Sequence, residues 1–111
     1  MGTTKTEQYS ETQIELASLL KVLGHPARIA IVQALMKTNS CVCGDLVTEI
    51  ELAQSTVSQH LKELKSVGLI KGTIEGTSVC YCIDKERWQH LANVITPLLA
   101  DGLACNDNSC C

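Results

Sequence analysis

A chain of 111 residues holds one domain and leaves no room for a large multidomain enzyme. Its residues are 45% hydrophobic and 19% charged, which excludes a wholly disordered chain, and no apolar run reaches the ~18–20 residues of a membrane span. The formal charge of −3, from 9 basic and 12 acidic side chains, argues by itself against a nucleic-acid partner. Its distribution argues otherwise. Between Gln54 and Gly72 stand Lys62, Lys65 and Lys71 against Glu63 alone, a locally basic stretch in an acidic chain. Met1–Ser10 is polar and lacks the apolar centre of a secretion signal. The expectation is a cytoplasmic protein with no membrane association. There is no Phe and one Trp, so the core must be Leu, Ile, Val and Ala, a set that suits packed helices.

In chain order, residues 11–23 read as a first helix, with Ile14, Leu16, Ala17, Leu19, Leu20 and Leu23 as its apolar stripe and Gly24 ending it. Pro26 suits a first helical position. A second helix follows over Ala27–Lys37, with Ile29, Val32, Leu35 and Met36 inward. Gly44–Glu51 is a short amphipathic piece. A turn at Leu52–Gln54 leads to a helix over Ser55–Val67, stopped by Gly68. Its apolar positions are Val57, Leu61, Leu64 and Val67. Ser55 and Ser58 lie near its start, where hydroxyls cap backbone N–H groups. The period then changes to two. Leu69–Ile74 and Ser78–Ile83 read as strands joined by a turn at Glu75-Gly76-Thr77, a hairpin. Asp84 is the expected cap of a last helix from Lys85 to about Leu99, lined by Trp88, Leu91, Ala92, Ile95 and Leu98. Pro97 is expected to distort or shorten its end. The organisation expected is a flexible segment 1–10, a folded unit 11–100 and a Cys-rich tail 101–111.

Two short helices joined by a tight turn, the second with a small polar outer face, form a helix-turn-helix pattern. A hairpin directly after it forms a wing. Gln59 can pair with adenine, Lys62 and Lys65 can neutralise phosphates, and Ser55 and Thr56 lie at the helix start, where backbone N–H groups favour phosphate. On helix pattern alone, a bundle with a merely solvated polar face fits as well.

The run Leu23-Gly24-His25-Pro26-Ala27-Arg28-Ile29 resembles the LxxPxR segment of the ArsR/SmtB family of winged-helix repressors. Gln54-Ser55-Thr56-Val57-Ser58-Gln59-His60-Leu61-Lys62-Glu63-Leu64, then Gly68-Leu69-Ile70, is similar to that family's recognition helix and the strand it leads into. The resemblance covers roughly residues 11 to 99. It implies a mainly α winged helix-turn-helix with a two-stranded wing and a C-terminal dimerisation helix. It also implies a homodimer, and double-stranded operator DNA released by an inducer. By this resemblance Ser55, Thr56, Ser58, Gln59, His60 and Lys62 face DNA. His60 lies between the apolar and polar faces of its helix, so packing and DNA contact are both open for it.

Seven cysteines are an odd number, so they cannot all pair within one chain. In a reducing compartment, clustered thiols mean metal binding or redox sensing more often than staples. Thiolates select soft ions: As(III), Sb(III), Cd(II), Pb(II) and Zn(II). Cys41-Val42-Cys43 puts two thiols at i and i+2. On a helix these point about 200° apart, from ~3.6 residues per turn; on an extended segment they share a face. Chelation therefore requires extended backbone here. Several arsenic, cadmium and lead sensors of the family carry Cys-Val-Cys before Asp-Leu, but here Gly44 intervenes and the third thiol's position holds Val47. The family's ligand set is not intact, so a partner sulfur must come from elsewhere. Cys110 and Cys111 of the tail rank first, with Cys80, Cys82 and Cys105 behind. Cys80 and Cys82 share a strand face, where cysteine also serves as small apolar filler.

The expectation is a repressor, not an enzyme, that leaves its operator on binding a thiophilic metal or metalloid, As(III) or Sb(III) foremost, with Cd(II), Pb(II) and Zn(II) as further inducers. The alternative keeps the fold and makes it a thiol-redox or persulfide sensor. A thiol oxidoreductase is disfavoured by the lack of Cys-x-x-Cys and of any βαβ pattern. A zinc site on the last helix is disfavoured too, because Asp84, Glu86 and His90 lack a second histidine.

Overall fold

The computed structural model describes residues 8–37, 42–43, 54–75 and 78–105. Helix α1 spans Glu11–Leu23. Ser10 and Gln13 form a reciprocal capping box at its start, with the Gln13 N–H donating to Ser10 Oγ at 3.1 Å and the Ser10 N–H to Gln13 Oε1 at 2.9 Å. Helix α2 spans Pro26–Lys37. Its start is closed by His25, whose Nδ1 accepts the Ala27 N–H at 3.1 Å, and Pro26 stands first, where its missing N–H costs nothing. Val42–Cys43 form a two-residue strand, β1. The amphipathic piece expected at 44–51 and most of the turn after it lie outside the described residues.

Helix α3 spans Gln54–Ser66. It ends in a glycine-centred cap. The Leu69 N–H donates to the Leu64 carbonyl at 3.2 Å and the Gly68 N–H to the Lys65 carbonyl at 3.0 Å. Gly68 itself takes φ +82°, the left-handed region that such a cap requires. Strands β2 (Ile70–Glu75) and β3 (Ser78–Ile83) pair antiparallel as the expected hairpin. The sheet has a third member: β1 pairs antiparallel with the other edge of β3, giving the order β1-β3-β2.

Helix α4 runs from Lys85 to Ala104 with Pro97 inside it, five residues beyond the expected end. Proline removes one intrahelical hydrogen bond, and the Leu- and Ala-rich segment after it favours continuation. Asp84 caps the helix as expected, its Oδ1 accepting the Arg87 N–H at 3.3 Å. The first turn of α4 is stitched to the junction between α3 and β2. Trp88 Nε1 donates to the Leu69 carbonyl at 2.9 Å and Arg87 Nε to the Val67 carbonyl at 2.9 Å.

These elements enclose one apolar core: Leu19 and Val22 of α1, Ile31, Val32, Ala34 and Leu35 of α2, Val57, Leu61 and Leu64 of α3, Leu69 and Ile70, and Leu91 of α4. Burying such a side chain stabilises by ~1.5–3 kcal/mol each. In α2 two residues expected inside are outside, because the helix turns the stripe Arg28, Ile31, Val32 and Leu35 inward and leaves Ile29 and Met36 exposed; Ala17, Leu20 and Leu98 of the α1 and α4 stripes are exposed too. Among the described residues, no single helix is long and apolar enough to cross a membrane.

Candidate nucleic-acid interface and thiol site

The sequence of α3 divides it into two faces. Val57, His60, Leu61 and Leu64 recur at i, i+3, i+4 and i+7 and are buried. Thr56, Ser58, Gln59, Lys62, Lys65 and Ser66 are exposed. The outer row thus carries hydroxyls, an amide and two ammonium groups at helical spacing. Ser55 lies in the first turn. Gln59 Nε2 donates to Glu63 Oε1 at 3.4 Å, and Ser66 Oγ to the Glu63 carbonyl at 2.6 Å. The Gln59 amide is therefore held only by a long hydrogen bond on an open surface.

For His60, named with the DNA-facing set but placed between the two faces of its helix by the sequence, the structure selects packing: it lies against the core side of the helix. It falls on the inward stripe, three residues after Val57 and four before Leu64. Its Nδ1 accepts a hydrogen bond from Arg28 Nε at 3.0 Å, and its ring lies 4.4 Å from that of His25, tilted by 55°. Arg28 also donates through Nη1 to the Val22 carbonyl at 3.1 Å. One guanidinium thus joins the end of α1, the start of α2 and the middle of α3. Burial, then the charges of His25 and Arg28, push the His60 pKa below the ordinary histidine value. The lowered pKa favours the neutral ring, whose bare Nδ1 accepts the Arg28 hydrogen bond. Its place is behind the outer face, fixing the roll of α3. The role of Arg28 is not readable from α3 itself; the signal is a lone arginine on the inward stripe of an apolar helix.

In the wing, Ile74 and Val79 are cross-strand partners and both are exposed. Lys71 and Thr73 of β2 are exposed too.

Of the seven thiols, Cys41, Cys110 and Cys111 lie outside the described residues. Cys43 is in β1, so the backbone is extended at Val42–Cys43. The register sets the Cα of Cys43 opposite that of Cys80. Cys80 is fully buried, and Cys82, two residues along the same strand face, is half-buried. Cys105 is exposed at the C-terminal cap of α4. Cys80 and Cys105 each take part in a disulfide. Among the described residues, no group of three or more His, Cys, Asp and Glu side chains is placed to hold a metal ion. Asp84 is used as a helix cap, and His90 Nε2 pairs with Glu15 Oε1 at 2.6 Å.

Glu15 also meets Arg87 Nη1 at 3.2 Å, so α1 and α4 are tied by a three-member polar cluster. The His90 hydrogen bond, helped by the charges of His90 and Arg87, holds the Glu15 carboxyl below the usual carboxylate range. Elsewhere on these two helices Leu20 of α1 and Leu98, Leu99 and Leu103 of α4 are exposed.

Residues 25–71 match the family described as "Bacterial regulatory protein, arsR family". The chain is 39% identical over 82 residues to the HTH-type transcriptional repressor SmtB of Mycobacterium tuberculosis, which covers 74% of this chain and 58% of that repressor's length. It is 32% identical over 88 residues to the cadmium resistance transcriptional regulatory protein CadC homolog of Staphylococcus aureus, covering 78% of this chain and 72% of the relative. Among solved structures, the ArsR-like transcriptional regulator from Rhodococcus sp. RHA1 superposes with a TM-score of 0.71 over 83% of this chain and 86% of its own, at 22% identity. That likeness establishes the winged helix-turn-helix fold.

Proposed function

Because the chain belongs to the arsR family of bacterial transcriptional regulators, we propose that it is a homodimeric repressor that holds operator DNA with α3 and releases it on binding a thiophilic metal or metalloid. The observation that carries the reading is the outer row of α3. Thr56, Ser58, Gln59 and Lys62 are exposed on a helix whose other side is locked to the core. An exposed Gln amide offers the paired donor and acceptor that adenine presents in the major groove, and Ser and Thr hydroxyls reach either bases or phosphates. Ser55, in the first turn, joins this set. Lys62 and Lys65 neutralise phosphates, and each neutralised phosphate releases counterions. His60 contributes from behind as a positioning residue.

The dimer forms through α1 and α4, where Leu20, Leu98, Leu99 and Leu103 supply the apolar surface. Two copies of α3 then meet half-sites about 34–36 Å apart.

Cys41, Cys43, Cys110 and Cys111 are the proposed inducer ligands, with Cys82 as a further donor and Cys80 and Cys105 joining only once their disulfides are reduced. Three thiolates suit the trigonal preference of As(III) and Sb(III), the leading inducers, and the same soft sulfurs accept Cd(II), Pb(II) and Zn(II). The cadmium-resistance regulator among the relatives supports a metal inducer in general. The disulfide state of Cys80 favours a second reading, in which oxidation of thiols releases the operator.

The test is fluorescence anisotropy on a duplex selected by the protein from a randomised pool, titrated with arsenite, antimonite, Cd(II), Pb(II) and Zn(II). The expected result is a 5- to 150-fold loss of affinity with arsenite, abolished by Cys43→Ser. Unchanged binding with all five ions overturns the inducer class.

A further inference from the structure

Strand β1 is two residues long and lies at the edge of the sheet, yet its register sets one cysteine opposite another: Cys43 against Cys80. Directly opposed residues of an antiparallel pair share one face of the sheet, with Cβ atoms ≈ 4.5–5.5 Å apart and closest in pairs without mutual hydrogen bonds. That spacing reaches the range of a cross-strand disulfide. A second observation points the same way. Cys80 is disulfide-bonded and fully buried, although the neighbouring β3 residues Tyr81 and Ile83 are the ones that pack on the apolar core. Side chains alternate along a strand, so Cys80 lies on the face turned away from that core.

We propose that Cys43 and Cys80 form a reversible cross-strand disulfide, a redox modification site that couples the oxidation state of the protein to the seating of α3. The bond closes a loop over residues 44–79, which contains all of α3 and all of β2. With the bond made, both ends of that loop are fixed to the central strand. With it broken, β1 is held among the described residues by two residue pairs, and so short an edge strand opens locally at little cost. The same opening gives a reductant access to the buried sulfur of Cys80.

The chemistry balances with hydrogen peroxide as oxidant. One thiol reduces the peroxide and becomes a sulfenic acid, releasing one water as the O–O bond breaks. The second thiol displaces a second water from that sulfur and forms the S–S bond. In sum, two thiols lose two protons and two electrons to peroxide. A small dithiol reverses the step by exchange, restoring both protein thiols and closing into its own cyclic disulfide. The effect on operator binding rests on the DNA reading above; the bond itself does not.

The test uses the full chain with a metal chelator throughout, so that inducer metals play no part. Fully reduced protein is treated with one equivalent of hydrogen peroxide, alkylated and digested with trypsin. Tandem mass spectrometry then sequences the linked peptides. The expected product joins peptide 38–62 to peptide 72–85 through Cys43 and Cys80. Alkylated Cys80 after oxidation, or Cys80 linked to any other cysteine, overturns the proposal. In parallel, operator affinity of reduced and oxidised wild-type protein is expected to differ at least fivefold, a typical coupling between two sites. The difference is expected to vanish in Cys43→Ser and in Cys80→Val, the latter chosen to keep an apolar group in a buried position. Equal affinity of the two wild-type states overturns the coupling. Failure of the reduced protein to bind DNA defeats the DNA reading and leaves the disulfide mapping to stand or fall separately.

Discussion

The Arg28–His60 contact turns a single hydrogen bond into a pH-dependent tie between α2 and α3. The perturbation is a double-mutant cycle with Arg28→Met and His60→Leu. Arg28 makes two bonds, to His60 Nδ1 at 3.0 Å and to the Val22 carbonyl at 3.1 Å. Hydrogen bonds to a charged group contribute roughly 1.5–3 kcal/mol each, and both of these are only partly buried, which places them toward the low end. Arg28→Met is therefore expected to cost about 2–3 kcal/mol and His60→Leu about 1–2 kcal/mol, because removing one partner strands the other. The coupling energy is expected at about 1–1.5 kcal/mol at pH 8. Protonation of His60 places a hydrogen on the acceptor nitrogen and a positive charge beside the guanidinium. Its folded pKa is depressed relative to the unfolded value of ~6.5. The stabilisation is therefore complete above that unfolded value and is lost as pH falls through the depressed folded one. Urea unfolding followed by circular dichroism, at one protein concentration and at pH 8 and pH 5, measures the cycle. A coupling that is near zero at pH 8, or identical at both pH values, refutes the reasoning.

Leu64→Ala removes a fully buried side chain from the centre of the core and is expected to cost ~2–5 kcal/mol in the same urea experiment. Gly68→Ala forces a side chain into φ +82° and against the Arg87 stem at 3.4 Å; a loss of ~1–2 kcal/mol is expected, with little effect on DNA affinity measured at saturating stability. Glu15 is held below the ordinary carboxylate pKa by His90 and Arg87, so its contribution is present above the unfolded pKa and lost as pH falls through the lowered folded one. Acid unfolding followed by circular dichroism is thus expected to show a shallower acid limb in Glu15→Gln than in the wild type.

Local signals located most of the fold. The apolar stripe of α1 and Gly24 marked its limits, Gly68 marked the end of α3, the change to period two marked the hairpin, and Asp84 marked the start of α4. The elements that escaped local signals depend on tertiary contacts. Strand β1 has two residues and exists only because β3 offers it an edge. What the sequence did contain was the matching i, i+2 spacing of Cys41/Cys43 and Cys80/Cys82, but spacing carries no information about register. Periodicity cannot choose the inward face of α2, because Ala, Ile, Val, Leu and Met surround nearly the whole helix; Arg28 chooses it by bonding to His60 and Val22. His60 itself is polar by type and inward by position, and the position prevailed because Arg28 supplies the hydrogen bond that its burial requires. The continuation of α4 through Pro97 reflects the helix-favouring residues on both sides of it. The proposed inducer ligands are legible only as a class, since sequence spacing does not say which distant thiols a fold or a second chain would bring together.

In the proposed function the outer face of α3 reads duplex DNA. Anisotropy titrations of wild-type, Gln59→Ala and Lys62→Ala protein on the selected duplex, across a range of salt concentrations, test it most directly. Lys62→Ala is expected to weaken binding to all sequences alike and to lower the salt slope by about 1, whereas Gln59→Ala is expected to cost ~1–3 kcal/mol and relax preference at one base position. Wild-type affinity and an unchanged salt slope in both variants contradict the account.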